Sequence, residues 1–242
     1  MSRKSRRNRP IAPQAATAPA PAALPRGSRT GVIVAAVIGV TTLVIAVVLA
    51  VMLTSSRDPQ AATLNQAALA SREAPSFGPA DARVHIVEFL DPACGTCAEF
   101  YPHVKRLMAA NPGRIRLSVR HVAFHKGADE AVRILQAARA QERYWPALEA
   151  LLARQDDWVV DHRVQPGRIG DALANAGLDL ERLRRDMETP DVARRVEQDM
   201  ADARTLAVAQ TPEYFVNGRQ MASFGLEQLQ QLVHDELRRA YP

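Results

Sequence analysis

From Gly31 to Leu53 the chain reads GVIVAAVIGVTTLVIAVVLAVML, 23 residues without a charge. As a helix rising roughly 1.5 Å per residue it would measure about 34 Å. That is enough to cross a hydrocarbon layer about 30 Å thick with some tilt. Thr41 and Thr42 carry its only polar side chains, and a helix can bond their hydroxyls internally. A soluble domain has no use for a helix of this length that is apolar on every face. The run is therefore expected to be a single transmembrane helix, with the rest of the chain divided around it.

Its flanks set the orientation. Arg3, Lys4, Arg6, Arg7, Arg9, Arg26 and Arg29 precede the run, and residues 1–30 hold no acid, whereas Arg57 and Asp58 cancel just after it. The basic flank belongs in the cytoplasm, so the C-terminal bulk should face outward. The expected location is the inner (cytoplasmic) membrane, single-pass, with a periplasmic or otherwise extracytoplasmic domain. A cleaved signal peptide fits less well. Its apolar core is about 7–15 residues long and ends at a small-residue site, whereas this run is longer and is followed by Thr54-Ser55-Ser56. Arg6-Arg7 lies too far from the run for a twin-arginine signal. Residues 10–25 are rich in Pro and Ala and read as an irregular cytoplasmic tail. Residues 54–80 are expected to be a tether, with a short helix in AATLNQAALASRE halted by Pro75 and Gly78-Pro79.

The whole chain carries 31 Lys+Arg against 26 Asp+Glu, a net charge of +5. Such an excess would suit nucleic-acid binding, but its distribution removes that reading. The tail alone is +7, and the remainder has 24 basic against 26 acidic residues. No nucleic-acid partner is expected. The bilayer is expected as a partner, through residues 31–53.

Residues 81–242 read as one α/β domain. VHIVEFL (Val84–Leu90) is short, apolar and β-branched, as a strand buried on both faces should be. A helix should follow from about Gly95 to the stop signal Asn111-Pro112-Gly113, kinked at Pro102. Arg114–Phe124 alternates Ile115, Leu117 and Val119 on one face, a second strand. From Ala128 to about Val208 the periodicity is helical, with an insert at about 126–190. After Thr211-Pro212, Tyr214–Val216 reads as a strand, Asn217-Gly218 as a tight hairpin turn, Gln220–Ser223 as the returning strand and Gly225–Tyr241 as a closing amphipathic helix. The order β-α-β, helical insert, β-β-α describes an α/β sandwich.

The two cysteines, Cys94 and Cys97, fall in DPACGTCAEF, directly after the first strand and at the start of a helix. A helix N-terminus offers free N–H groups and partial positive charge, and both stabilise a thiolate. Cys94, nearer the tip, is expected to be exposed and reactive, and Cys97, one turn in, more buried. This spacing lets a disulfide ring open and close by thiol–disulfide exchange. Zinc ligation by Cys94, Cys97, His121 and His125 is the competing reading. However, 23 residues separate Cys97 from His121, where a finger has about 12–15, and no metal site is expected. Glu88 interrupts the apolar strand. A carboxyl buried there could take and return the proton of Cys97; alternatively it points to solvent at the strand end. Pro212 is either a cis-proline at a tight turn or an ordinary trans proline opening a strand. His103 either approaches the cysteines or lies on the surface.

Taken together, VEFLDPACGTC, the helical block after the second strand, QTP before a strand and EYFVNGR with its closing helix resemble the thioredoxin superfamily. Within it they resemble the DsbA-like thiol:disulfide oxidoreductases, over about residues 75–242. The resemblance implies a thioredoxin-like fold with an inserted helical domain. It implies Cys94 as the attacking and Cys97 as the resolving cysteine, Glu88 as the buried acid, and Pro212 as a cis-proline facing the disulfide. It also implies Thr211 as a contact of the active sulfur that helps bind substrate backbone, beside Gly95 and Thr96. The dipeptide Gly95-Thr96 departs from the Pro-His of strong oxidants and the Gly-Pro of reducing thioredoxins. Without a histidine there, Cys94 is expected to be a weaker acid and the disulfide less oxidising. The direction of electron flow stays open among oxidant, isomerase and reductant.

The function implied is disulfide exchange with cysteines of exported proteins, with a membrane redox partner and no cofactor beyond the Cys94–Cys97 pair. The alternative is a non-catalytic thioredoxin-like module, holding a partner or a metal for an extracytoplasmic assembly pathway.

Overall fold

The computed structural model describes residues 39, 43–47, 59–71 and 73–242. It divides into two units, Met1–Ser56 and Arg57–Pro242. In the first, Leu43, Val44, Ile45 and Val47 are helical and exposed. The basic tail, and nearly all of the apolar run expected to span a membrane, lie outside the described residues. Among the described residues no helix is long and apolar enough to cross a membrane.

The second unit is built on five strands: β1 (Ser76–Phe77), β2 (Val84–Leu90), β3 (Ile115–His121), β6 (Glu213–Val216) and β7 (Arg219–Gln220). Their spatial order is β1-β3-β2-β6-β7. β2 runs parallel to β3, with Val84 opposite Ile115 and Leu90 opposite His121. Its other neighbour, β6, is antiparallel and places Glu88 opposite Tyr214. The parallel pair needs a crossover, supplied by helix α2 (Gly95–Ala110), which continues through Pro102. The expected hairpin forms at Asn217-Gly218, both with positive φ (49° and 81°), as such a turn demands. Asn217 also latches the hairpin to β2, its Oδ1 accepting from the His85 N–H and its amide donating to the Arg83 carbonyl. The returning strand is shorter than expected, Arg219–Gln220 rather than Gln220–Ser223. After Met221 N–H bonds the Tyr214 carbonyl, the chain turns away toward the last helix.

The tether expected over 54–80 is largely part of the domain. Helix α1 (Pro59–Leu69) buries Ala68, and β1 pairs with the outer edge of β3. Gly78 explains how the chain comes so close to β3. At φ +94° a Cβ there would meet the Ile115 carbonyl oxygen at 2.4 Å, so only glycine fits.

The helical insert comprises α3 (Ala128–Ala138), α4 (Tyr144–Ala153), the short α5 (Gln155–Trp158), the strand pair β4 (Val159–Val160) and β5 (Arg163–Val164), α6 (Pro166–Ala172) and α7 (Leu180–Met187). Then α8 (Pro190–Thr205) returns to the sheet and α9 (Leu226–Ala240) closes the domain.

Side chains alternate across the sheet. Val84, Ile86, Leu90, Tyr214 and Val216 join the larger core with α2, the insert and α9. Val87, Phe89 and Phe215 join a smaller core with Ala68, Ala203 and Leu206 of the opposite layer. On that second face the fully buried Arg120 is forked between Asp199 and Asp202 of α8 and also donates to the Ala68 carbonyl at 2.7 Å. One cation thus ties α1, β3 and α8 together.

Candidate active site

The loop after β2 is held by Asp91, which is fully buried. Its Oδ1 accepts from the Ala93 N–H (2.8 Å), and its Oδ2 accepts from the N–H groups of Phe124 (2.7 Å) and His125 (2.8 Å). Its backbone carbonyl accepts from the Cys94 N–H at 3.0 Å. Cys94 then caps α2 in an extended conformation, with no side chain closing the helix end. The first-turn N–H groups and the positive end of the dipole are therefore left to the cysteine sulfurs.

Both cysteines are free thiols, and both are buried. For Cys94 this corrects the expectation of exposure: only 6% of it is accessible. Two segments distant in sequence cover it. Its thiol donates to the Thr211 carbonyl oxygen at 3.2 Å. The buried Gln155 amide donates to the Cys94 carbonyl at 3.1 Å and to the Pro92 carbonyl at 2.7 Å. Gly95 is exposed and Thr96 half-buried. A Cβ on Gly95 would meet only Gln155 Oε1, at 3.7 Å, so packing does not force glycine at that position.

The two thiols differ sharply. Cys94 is pushed down to about 5, chiefly by the hydrogen bond from Cys97; burial opposes this, while the Thr211 side chain, the Cys97 backbone N–H and the charge of His125 add to it. The expectation is of a weaker acid than in the strong oxidants, and about 5 lies between the roughly 3.5 of a strong oxidant and the roughly 7 of thioredoxin. No histidine sits between the cysteines, yet other groups supply the stabilisation. Cys97 is pushed well above an ordinary thiol, first by burial and then by Cys94 and Glu88.

Glu88 does not point to solvent. It is fully buried on the face of β2 that carries the cysteines. Its Oε1 accepts from the Tyr214 hydroxyl at 3.0 Å, and its Oε2 has no hydrogen-bond partner among the described residues. Burial, with the Cys94 charge adding and the Tyr214 hydrogen bond opposing, raises its pKa to about 8. The Thr211-Pro212 peptide is cis, which settles the alternative left open by the residues alone. The structure thus brings Cys94, Cys97, Glu88 and Thr211 into one site. His103 takes no part, since its Nδ1 pairs with Arg106 at 2.8 Å. His121 is buried against the Tyr144 hydroxyl (3.1 Å) and Gln136, while His125 pairs with Asp91 (2.9 Å). Among the described residues no cluster of three or more His, Cys, Asp or Glu is arranged to hold a metal.

Four contributors were not legible beforehand: Asp91, His125, Gln155 and Tyr214. Asp91 has a local signal, an acid between an apolar strand and the cysteine turn. Gln155 has none, because it reaches Cys94 only through the packing of the insert.

A strand leading into a CxxC turn at a helix N-terminus, closed over by a cis-proline loop on a mixed five-stranded sheet, defines a thioredoxin-like redox site. The chain belongs to the thioredoxin family, whose model, described as Thioredoxin, matches residues 70–235. Its structure resembles a thioredoxin-like oxidoreductase from Silicibacter pomeroyi, with a TM-score of 0.62 and 29% identity, covering 76% of this chain and 99% of that one. In sequence it is 26% identical over 173 residues to disulfide bond formation protein D of Bacillus subtilis, covering 68% of this chain and 77% of that protein. It is also 34% identical over 144 residues to a Na(+)/H(+) antiporter NhaA of Herminiimonas arsenicoxydans. That match covers 60% of this chain but only 22% of the antiporter, so the likeness spans about a fifth of that relative's length. These likenesses uphold the DsbA-like resemblance read from the sequence.

Proposed function

We propose that the protein is a membrane-tethered thiol:disulfide oxidoreductase acting outside the cytoplasm on cysteines of exported proteins. The observation that carries this reading is the separation of the two thiols: Cys94 is lowered to about 5 and Cys97 raised well above its ordinary value. Such a pair has one nucleophile that is ionised at neutral pH and one that stays protonated until a base takes its proton. The apolar run 31–53 and its basic flank supply the tether.

The low pKa of Cys94 favours the oxidising direction, because a stabilised thiolate stabilises the reduced form and makes the disulfide a stronger oxidant. A substrate thiolate attacks Sγ of Cys94 in the disulfide. The Cys94–substrate disulfide forms, and Cys97 leaves as a thiolate and takes the proton from the Glu88 carboxylic acid. A second substrate thiolate then attacks the substrate sulfur, releasing the Cys94 thiolate. The substrate has lost two electrons and gained a disulfide, and the enzyme is a dithiol. A membrane-bound oxidase must accept those two electrons to renew it. No cofactor beyond the cysteine pair takes part.

The test is the reduction potential of Cys94/Cys97 in the full chain in detergent, by glutathione titration. A lowered but not extreme Cys94 pKa supports a value between about −120 and −270 mV, those of a strong oxidant and of thioredoxin. Absence of a reversible dithiol/disulfide couple, with bound copper or zinc in its place, would sink the enzyme reading in favour of a metal-holding module.

A further inference from the structure

Glu88 and Tyr214 face each other across β2 and β6 as register partners. Both are fully buried, and among the described residues the only hydrogen bond of the carboxyl group is the one Oε1 accepts from the Tyr214 hydroxyl at 3.0 Å. We propose that Tyr214 is a positioning residue for proton exchange between Glu88 and Cys97: it occupies Oε1 and reserves Oε2 as the atom that carries the proton. This rests on the thiol-exchange reading above.

The geometry supports a fixed rather than a roaming hydroxyl. The Tyr214 ring stacks on Phe100 of α2 at 6.3 Å and 24°, and Phe100 packs in turn on Phe224 at 4.9 Å. With the ring held, the hydroxyl has one acceptor. Burial also pushes the phenol well above its ordinary value, so Tyr214 stays a neutral donor throughout the working pH range. The titratable groups whose charge is coupled to Glu88 are Cys94 and Cys97 at the head of α2, Tyr101 further along it, Tyr144 of α4 and Tyr214 itself. None is a cation. Stabilisation of the carboxylate therefore falls to the phenol, a weaker helper than an ammonium would be. This fits an acid held near 8 rather than fully ionised at neutral pH.

When Cys97 attacks a Cys94 mixed disulfide, its S–H proton passes to Oε2, giving the carboxylic acid. The Cys97 thiolate bonds to Sγ of Cys94, and the outgoing sulfur leaves as a thiolate with the electron pair of the broken S–S bond, to be protonated by water. Oε1 keeps its phenol throughout, so the transfer needs no rotation of the carboxyl group.

The test uses the full chain in detergent with glutathione preloaded on Cys94, and follows glutathione release against pH. Tyr214→Phe removes the donor and should lower the release rate at neutral pH by about three- to tenfold, the worth of one neutral hydrogen bond. It should also move the pH profile upward, because the carboxylate base forms later. Phe100→Leu keeps the hydroxyl but frees the ring, and should shift the profile the same way by less. Glu88→Gln should abolish the inflection, and adding Tyr214→Phe to it should change nothing further. An unshifted profile in both Tyr214→Phe and Phe100→Leu, or a Tyr214 effect that persists at full size on the Glu88→Gln background, would overturn the proposal. If the wild-type chain takes up no glutathione at Cys94, the exchange reading itself falls, and this proposal with it.

Discussion

Cys94 Sγ lies 3.2 Å from the carbonyl oxygen of Thr211, a contact that spans 117 residues of sequence. It brings the cis-proline loop over Cys94 and helps bury it, while the acidity of that thiol comes chiefly from the hydrogen bond of Cys97. An attacking thiol would have to enter between this loop and the first turn of α2.

The Cys94 thiolate should titrate near 5 in the reduced protein, followed by alkylation rate against pH. The hydrogen bond from Cys97 is the largest cause of that value. Cys97→Ala should therefore raise it more than any substitution at Thr211 or His125. An unchanged titration in Cys97→Ala would show that the helix terminus alone sets the acidity.

Cys94→Ser should abolish disulfide exchange, and Cys97→Ser should accumulate mixed disulfides with substrate, read as mobility-shifted species on non-reducing gels. Full activity of Cys94→Ser on a dithiol substrate would mean the two roles are assigned the wrong way round.

Glu88 gives the reduced protein a pH-dependent stability. Its folded pKa of about 8 lies above an unfolded value of about 4.3. The native state thus keeps a proton that the unfolded chain has released, and stability falls as pH rises through that window. Cys94 acts in the opposite sense, adding stability as pH rises from about 5 toward an unfolded thiol value of about 8.5. The comparison is therefore variant against wild type: Glu88→Gln should lose less stability between about pH 5 and 8. Parallel denaturation curves for the two proteins across that range would contradict the buried-acid account.

Gln155→Leu should cost about 1–3 kcal/mol, because the carbonyls of Pro92 and Cys94 lose their donor in a buried setting. Urea midpoints measure the loss. The same variant should slow exchange, since the cysteine loop loses its tie to the insert.

Arg120→Met should be more damaging, by about 3–5 kcal/mol. It strands Asp199 and Asp202 and removes the donor to the Ala68 carbonyl. Arg120→Lys should rescue only part of this, because an ammonium cannot fork between two carboxylates. A midpoint within experimental error of wild type in Arg120→Met would show the triad to be dispensable.

What could be read in advance was whatever is carried by local pattern. The apolar β2, the alternation of Ile115, Leu117 and Val119, the turn at Asn217-Gly218 and the cysteine spacing each declare themselves within a few residues. Cys94 and Cys97 followed from such signals, whereas the roles of Glu88 and Pro212 were fixed only by the family resemblance. The misses share a different cause. The burial of Cys94 comes from the Thr211 loop, which only the family resemblance pointed to, and from Gln155, while His125 adds to its acidity. Partners so far apart in sequence leave no mark on the local pattern. The placement of α1 was missed for the same reason, since an alanine-rich segment reads as a linker until Arg120 is seen to bond the Ala68 carbonyl. Tyr214 looked like any aromatic residue in a strand until the register set it against Glu88.

The two faces of the central sheet are unequal. Cys94, Cys97, Glu88 and Tyr214 all belong to the face with the larger core, whereas α1 and α8 cover the other through a small apolar cluster and the Arg120 clamp. Regions with less buried apolar contact open at lower free energy. Amide protons of Pro59–Leu69 and Pro190–Thr205 should then exchange ahead of those in Gly95–Ala110, and turnover should outlast that opening. The domain would wear from the back, with its cysteine-bearing side the last part to fail.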